Sequence, residues 1–339
     1  MLVGRFLLLE FLVPSILGTM KTSEKILSYI QIHKQATGAE LSDFLEITDR
    51  AVRKQLKSLI ENNTLEKIGT PPKVFYRLNT TKTYDSIEFN KETQEILEKN
   101  FYNITPTGKE LVGVEGFIIW CSERDFDIQK KADEFVGIIK KYKNLKKDNL
   151  LDATSKLKKT FDQGADELYY YDFYSVEVFG KTKMGQKLLY AKQSENKKLM
   201  KEIVRTIRLD VVNLIKKKSI RAVAYVQPTV PRQVQFMKVL EKELRLDLPI
   251  VKINKVISDI RVPQKTLKKL TDRIENANET FVVESNPSFK NVLLIDDAVG
   301  SGASINQVAQ KIKDKGIAEK VIGFAVTGSL NDFDVISEV

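Results

Sequence analysis

A single cysteine and a single histidine stand among 339 residues. Cys121 alone excludes an intrachain disulfide framework. His33 has no ligating partner near it, so a clustered zinc site is excluded, and the second half of the chain has no histidine for a Ser/His/Asp triad. His33 reads as a helix-surface residue. Long apolar runs are missing as well. The apolar stretch of residues 1–19 is too short to span a bilayer, is broken by Glu10 and Pro14, and has only Arg5 as a basic head. It is expected to be either an over-extended start ahead of Met20 or an extra packing helix. The protein is accordingly expected to be cytoplasmic, with no membrane partner. An acidic surplus is also absent: 55 Lys and Arg against 45 Asp and Glu leave a net charge of +10, which points to a polyanionic partner without specifying one.

What is present fits a soluble globular chain of two or three domains, with 42% hydrophobic and 29% charged residues. The stretch richest in chemistry runs from Asn291 to Ser304, Asn-Val-Leu-Leu-Ile-Asp-Asp-Ala-Val-Gly-Ser-Gly-Ala-Ser. Val292 to Ile295 read as a buried parallel strand, and Ile305, Val308, Ile312 and Ile317 have the spacing of an amphipathic helix. The loop between them lies at a strand's carboxyl end, where open α/β sheets bind ligands. Free N–H groups at the helix start, with the Ser301 and Ser304 hydroxyls, favour a phosphate, and Gly300 and Gly302 let the backbone approach it. Asp296 and Asp297 can accept hydrogen bonds from vicinal hydroxyls or hold Mg²⁺ through water. Phosphate, diol and metal together describe phosphoribosyl pyrophosphate. The stretch is not a Walker loop, since no Gly-Lys-Ser/Thr follows.

At these residues the chain resembles the type I phosphoribosyltransferases, whose signature is an apolar run, two acids, two apolar residues and a Ser/Thr-Thr-Gly-x-Thr loop. Gly300 departs from it, standing where many members have Ser or Thr and some an Asp that serves as a base. A narrower resemblance, over about residues 165–339, is to the ComF (competence protein F) branch, through Gln264, Leu270, Arg273, Asn276 and Phe281. After Pro228 the chain has Arg232-Gln-Val-Gln-Phe in place of that branch's Arg-Gly-Phe-Asn-Gln. The resemblance implies a phosphoribosyl ligand held by Asp296 through Ser304 (Ala298, Val299 and Ala303 included). Arg232 and Arg273 are the candidates for its pyrophosphate side, and Asp296 and Asp297 for Mg²⁺. The alternative for Arg273 and Asn276 is that they are helix-surface residues.

Towards the N-terminus, Ile26, Leu27 and Ile30 predict a helix, Glu40 to Leu45 a second, and Thr48 caps a third with Val52, Leu56, Leu59 and Ile60 on one stripe. Arg50, Arg53, Lys54 and Lys57 take its other faces. The runs 65–68 and 74–78 flank a hairpin tip carrying Lys73. Residues 20–82 therefore resemble a winged helix-turn-helix domain, with Thr48, Arg50, Arg53, Lys54, Lys57 and Lys73 as DNA-binding candidates; a helical bundle with solvated lysines is the alternative. Residues 83–164 read as a helical connector, with helices over 91–100, 127–142 and 150–161, a turn at 104–110, a core place for Trp120 and Cys121, and a basic run over 140–159. Beyond it, Tyr169–Phe179 and Leu188–Lys192 read as strands, and 199–216 as a helix. Strand-helix alternation then continues through 222–228, 234–244 and 250–253 to a final strand at 321–327.

The expected fold is thus α/β: an N-terminal winged helix, a helical connector and, over 165–339, a phosphoribosyltransferase-like parallel sheet. The expected protein is a DNA-binding regulator, with a homodimer among its expected states and an architecture like the bacterial purine repressor. The alternative is an active phosphoribosyltransferase tethered by its winged helix.

Overall fold

The computed structural model describes residues 20–79, 87–228, 230, 232–256, 260, 262–284 and 287–329. The apolar segment 1–19 lies outside them. The chain divides into two compact units, 1–86 and 87–339.

In the first unit three helices precede a hairpin: α1 (Thr22–His33), α2 (Gly38–Leu45), α3 (Asp49–Glu61), β1 (Leu65–Thr70) and β2 (Lys73–Leu78). The helices form because each has an apolar stripe at helical spacing: Ile26 and Ile30, Leu41, and Val52, Leu56 and Leu59 close one core with Leu65. Their starts are capped. Thr37 Oγ1 accepts from Glu40 N at 3.2 Å while the Glu40 carboxylate accepts from Thr37 N at 2.6 Å. That backbone bond, with a second from the Thr37 hydroxyl at 3.0 Å, lowers the Glu40 carboxyl from its ordinary value. The hairpin pairs from Leu65 with Leu78 to Thr70 with Lys73, and Gly69 is required there, since a Cβ would meet the Lys73 carbonyl at 2.3 Å. Ala36 and Tyr76 exchange backbone hydrogen bonds of 2.9 and 2.7 Å, which ties the α1–α2 link to the hairpin. Replacing Thr37 by Ala removes the cap of α2 and is expected to cost this unit about 1 kcal/mol. Calorimetry should then show its melting transition lowered by about 4–8 °C.

The second unit starts with α4 (Lys91–Asn100), the hairpin β3 (Tyr102–Ile104) and β4 (Glu110–Val112), α5 (Gly113–Ser122) and α6 (Ile128–Lys143). They enclose Leu97, Phe101, Phe117, Cys121 and Phe135. Next come β5 (Lys146–Lys147), β6 (Leu150–Asp152), α7 (Thr154–Thr160), β7 (Glu167–Phe173), the short pair β8 (Ser175–Val176) and β9 (Gly180–Lys181), α8 (Lys183–Gln193) and α9 (Lys197–Lys217). The chain continues through β10 (Ala222–Tyr225), α10 (Phe236–Leu244), β11 (Ile250–Val251), β12 (Ile253–Lys255), α11 (Leu270–Thr280), β13 (Phe281–Val283), β14 (Phe289–Val299), α12 (Ala303–Asp314) and β15 (Ala318–Gly328).

One mixed sheet runs β11-β10-β14-β15-β7-β6-β5. Its first five strands are parallel, and β6 and β5 close the edge antiparallel. Strand alternation divides the core between the two faces. Ala222, Ala224, Val292 and Leu294 pack against Val308, Ala309 and Ile312 of α12. Val223, Leu293 and Ile295 pack against Leu188 of α8, Ile203 and Ile207 of α9, and Leu240 of α10. Helices thus cover both faces, as a parallel sheet requires.

Two expectations give way here. Leu150–Phe161 is not one helix: Leu151 and Asp152 pair with Tyr170 and Tyr169 of β7, and the Asp152 carboxylate accepts from Thr154 N at 2.9 Å where α7 starts. Residues 87–164 are therefore more than a connector, since they supply the sheet's antiparallel edge. Leu188–Lys192 lies in α8 rather than in a strand. Thr182 caps that helix by accepting from Gly185 N at 3.0 Å, and Met184, Leu188 and Ala191 are buried at helical spacing. Within the basic run 140–159, Lys140 pairs with Glu92 at 2.7 Å, Lys141 with Glu177 at 2.8 Å and Lys146 with Asp172 at 3.3 Å.

Candidate functional site

β14 outlasts the apolar run that starts it, because its pairing with β15 persists as far as Val299 and Gly328. Asp296, Asp297, Ala298 and Val299 are therefore strand residues, and the turn is confined to Gly300, Ser301 and Gly302. Gly302 has φ 75° and is the N-cap of α12, a left-handed conformation natural to glycine. Its carbonyl accepts from Asn306 N at 2.9 Å, while Ser301 Oγ lies 3.5 Å from Ala303 N. No side chain of the N-cap residue closes the helix, which leaves first-turn N–H groups and the positive end of the helix dipole facing the turn.

The sheet order places this turn at a crevice. β10 passes through α10 to β11 on one side, whereas its other neighbour is β14, so the connections leave the sheet in opposite directions between β10 and β14. A cavity of about 190 Å³ opens there. Asp296, Asp297, Ala298, Val299, Gly300, Ser301, Gly302, Ala303, Ser304, Arg232 and Arg273 all line it. Val226, Gln227 and Pro228 at the end of β10 form another part of its wall.

Charge is concentrated in the cavity. Alternation along β14 sends Asp296 and Asp297 to opposite sides of the strand. Asp297 meets α8, where its Oδ2 is 2.7 Å from Lys192 Nζ. Asp296 Oδ1 accepts from Asp297 N at 2.8 Å, yet burial and then the charge of Asp297 push its carboxyl well above the usual range. Burial pulls the Lys255 ammonium down to about 8, partly opposed by Asp296; Nζ also lies 4.3 Å from the centre of the Phe281 ring.

Arg273, read as either a ligand or a helix-surface residue, is only 4% exposed. Its Nε donates to Leu267 O at 2.8 Å, and Gln264 Nε2 donates to its carbonyl at 2.9 Å. Its Nη2 is buried with no hydrogen-bond partner among the described residues. Asn276 Nδ2 reaches Val262 O at 3.5 Å. Arg232 Nη1 donates to the Lys192 carbonyl, so this side chain braces α8 as well as lining the cavity.

Lys192 and Lys255 escape sequence reasoning. Neither belongs to a motif, and each reaches the site from an element whose place in the fold only the sheet order reveals.

In the first unit, Thr48 caps α3 by accepting from Ala51 N at 3.4 Å. Arg50, Arg53, Lys54 and Lys57 are all exposed, and their spacing of three, four and seven residues puts them on one face, away from Val52, Leu56 and Leu59. Arg53 and Lys57 make exposed intrahelical pairs with Asp49 and Glu61 at 3.7 and 3.8 Å. Lys73 is exposed at the hairpin tip.

No family model matches the chain, and no curated protein matches it. Among solved structures, similarity is found to an adenine phosphoribosyltransferase, at 15% identity and a TM-score of 0.27, over 40% of this chain and 72% of that one. It is also found to a hypoxanthine phosphoribosyltransferase from Staphylococcus aureus, at 13% identity and a TM-score of 0.25, over 39% of this chain and 66% of that one.

Proposed function

We propose that the second unit binds a phosphoribosyl ligand, phosphoribosyl pyrophosphate or a related nucleotide, and that the first is a winged helix that binds DNA, making the protein a ligand-responsive regulator. One observation carries the ligand reading: a single cavity at the crevice of a parallel sheet gathers an acid pair, a glycine turn opening a helix, and basic side chains. The 5′-phosphate would sit on the Gly300–Ser304 turn, and the ribose hydroxyls on Asp296 and Asp297. Two carboxylates, one already ion-paired, fit a magnesium ion held through water rather than a protein cage; magnesium would neutralise a diphosphate and take most of its oxygens from it. Calorimetry with phosphoribosyl pyrophosphate and Mg²⁺ tests this directly, and absence of heat from the folded protein would dismiss it.

Support for the DNA reading is the helix order, the hairpin tied to Ala36, and the exposed basic face of α3. If the protein is a homodimeric sensor, saturating ligand should change DNA affinity by about 5- to 150-fold, and DNA should change ligand affinity by the same factor. Fluorescence anisotropy at fixed salt measures this. Equal DNA affinities with and without ligand would leave the second reading, an active phosphoribosyltransferase of ComF-like kind, in nucleobase salvage or DNA processing. Lys255 favours that reading, because an ammonium brought to about 8 is suited to proton transfer near neutrality. Pyrophosphate release on incubation with nucleobases separates the two.

A further inference from the structure

Two carboxylates and an incoming phosphate in one crevice repel one another unless positive charge stands among them. Among the described residues, no group of three acidic, histidine or cysteine side chains is placed to hold a metal ion. A lysine is placed there instead. Lys192 Nζ lies 2.7 Å from Asp297 Oδ2, and each side chain is only 16% exposed. Both line the cavity.

Lys192 is also braced from behind. It lies in the last turn of α8, where Arg232 Nη1 donates to its carbonyl. Three residues further on, the Glu195 carboxylate accepts from Val234 N at 2.6 Å. The segment after β10 thus grips the end of α8 at two points, and a long side chain that would otherwise lose rotamer freedom on binding is already ordered. An ammonium has three N–H donors. Asp297 engages one side of it, and among the described residues the remaining donors are available to a ligand oxygen.

We infer that Lys192 is the resident cation of this site: it neutralises Asp297 and donates to the sugar phosphate, so that a ribose 5-phosphate moiety binds without magnesium. The inference rests on the phosphoribosyl reading above. Magnesium then matters only for a ligand that brings its own diphosphate. The rest of the wall agrees, since the basic residues Lys192, Arg232, Lys255 and Arg273 outnumber Asp296 and Asp297.

The test is titration calorimetry of the full chain with ribose 5-phosphate, which has no diphosphate to chelate metal, and with phosphoribosyl pyrophosphate, each in EDTA and in Mg²⁺. Ribose 5-phosphate should bind the parent with affinities that agree within about threefold in the two buffers. Lys192→Met keeps the aliphatic stem and should weaken that binding by about 10- to 100-fold in both; Lys192→Arg should restore part of it. Circular dichroism establishes that the variants fold. A parent that loses more than about tenfold in EDTA, or a Met variant that binds as the parent does, overturns the role of Lys192. If phosphoribosyl pyrophosphate still binds in Mg²⁺ in that case, the phosphoribosyl reading stands without it. If neither ligand binds the folded parent in either buffer, both fall together.

Discussion

Replacing Asp296 and Asp297 together by asparagine is expected to abolish phosphoribosyl binding while leaving the second unit folded. With both acids ionised, each carboxylate that accepts from a ribose hydroxyl makes a charge-assisted bond worth about 1.5–3 kcal/mol, so losing two should weaken binding by roughly 10²- to 10⁴-fold. The fold should tolerate the change because Asp296 gains nothing from burial beside a second acid, and an asparagine at 297 keeps an amide oxygen that can accept from Lys192. Burial and the neighbouring Asp297 raise the Asp296 carboxyl above its ordinary value of 3.8. The native state therefore binds more protons than the unfolded chain from that value upward, and this group's contribution to stability falls as pH rises through the window ending at its raised pKa. Asp296→Asn removes that decline. Denaturant titrations of parent and single variant between pH 4 and 8 should diverge, the variant gaining on the parent as pH increases. Calorimetry supplies the binding half of the experiment. A double variant that binds as the parent does would remove the acid pair from the site, and a variant that unfolds would show the pair to be structural.

The acid pair and glycine turn were legible because local rules coincide there. An apolar run calls for a buried strand, glycines for a turn, and Val308 and Ile312 for a helix face, all within one short stretch. The helices of the first unit were legible for the same reason, with Thr48 marking the start of the third. Long-range pairing was not legible. Leu150 and Leu151 carry a pattern that suits a helix until β5 offers Leu150 and β7 offers Leu151 a backbone partner, and Leu188 shows its period only together with Met184 and Ala191. Lys192 illustrates the limit. Nothing local marks it, and it reaches Asp297 because α8 covers the sheet face to which alternation turns residue 297. Arg273 could be picked out by its place in a spacing pattern, but its burial depends on Gln264 and Leu267, which fold back onto it.

Substituting Arg50, Arg53 and Lys54 together by alanine is expected to remove most DNA affinity and to flatten its dependence on salt. These residues share one exposed face of α3 with Lys57, and the pair that Arg53 makes with Asp49 is too exposed, at 77% and 63%, to compete with a phosphate. Each lost phosphate contact should reduce the slope of log K against log salt by about 0.9, so three contacts reduce it by about 2.7. At about 1 kcal/mol or more apiece, affinity should fall roughly 100-fold or further. Stability should barely change, since the core residues Val52, Leu56 and Leu59 lie on the other side of the helix and exposed substitutions usually stay within about 0.5 kcal/mol. The measurement is anisotropy of labelled duplex DNA across a salt series, with the full-length parent and the triple variant side by side. A uniform loss across sequences assigns the three residues to the backbone. A loss confined to one preferred sequence assigns at least one of them to a base edge, because only such contacts carry sequence information. Unchanged affinity and slope would mean that this face of α3 meets a partner other than nucleic acid, and the net positive charge of the chain would need another explanation.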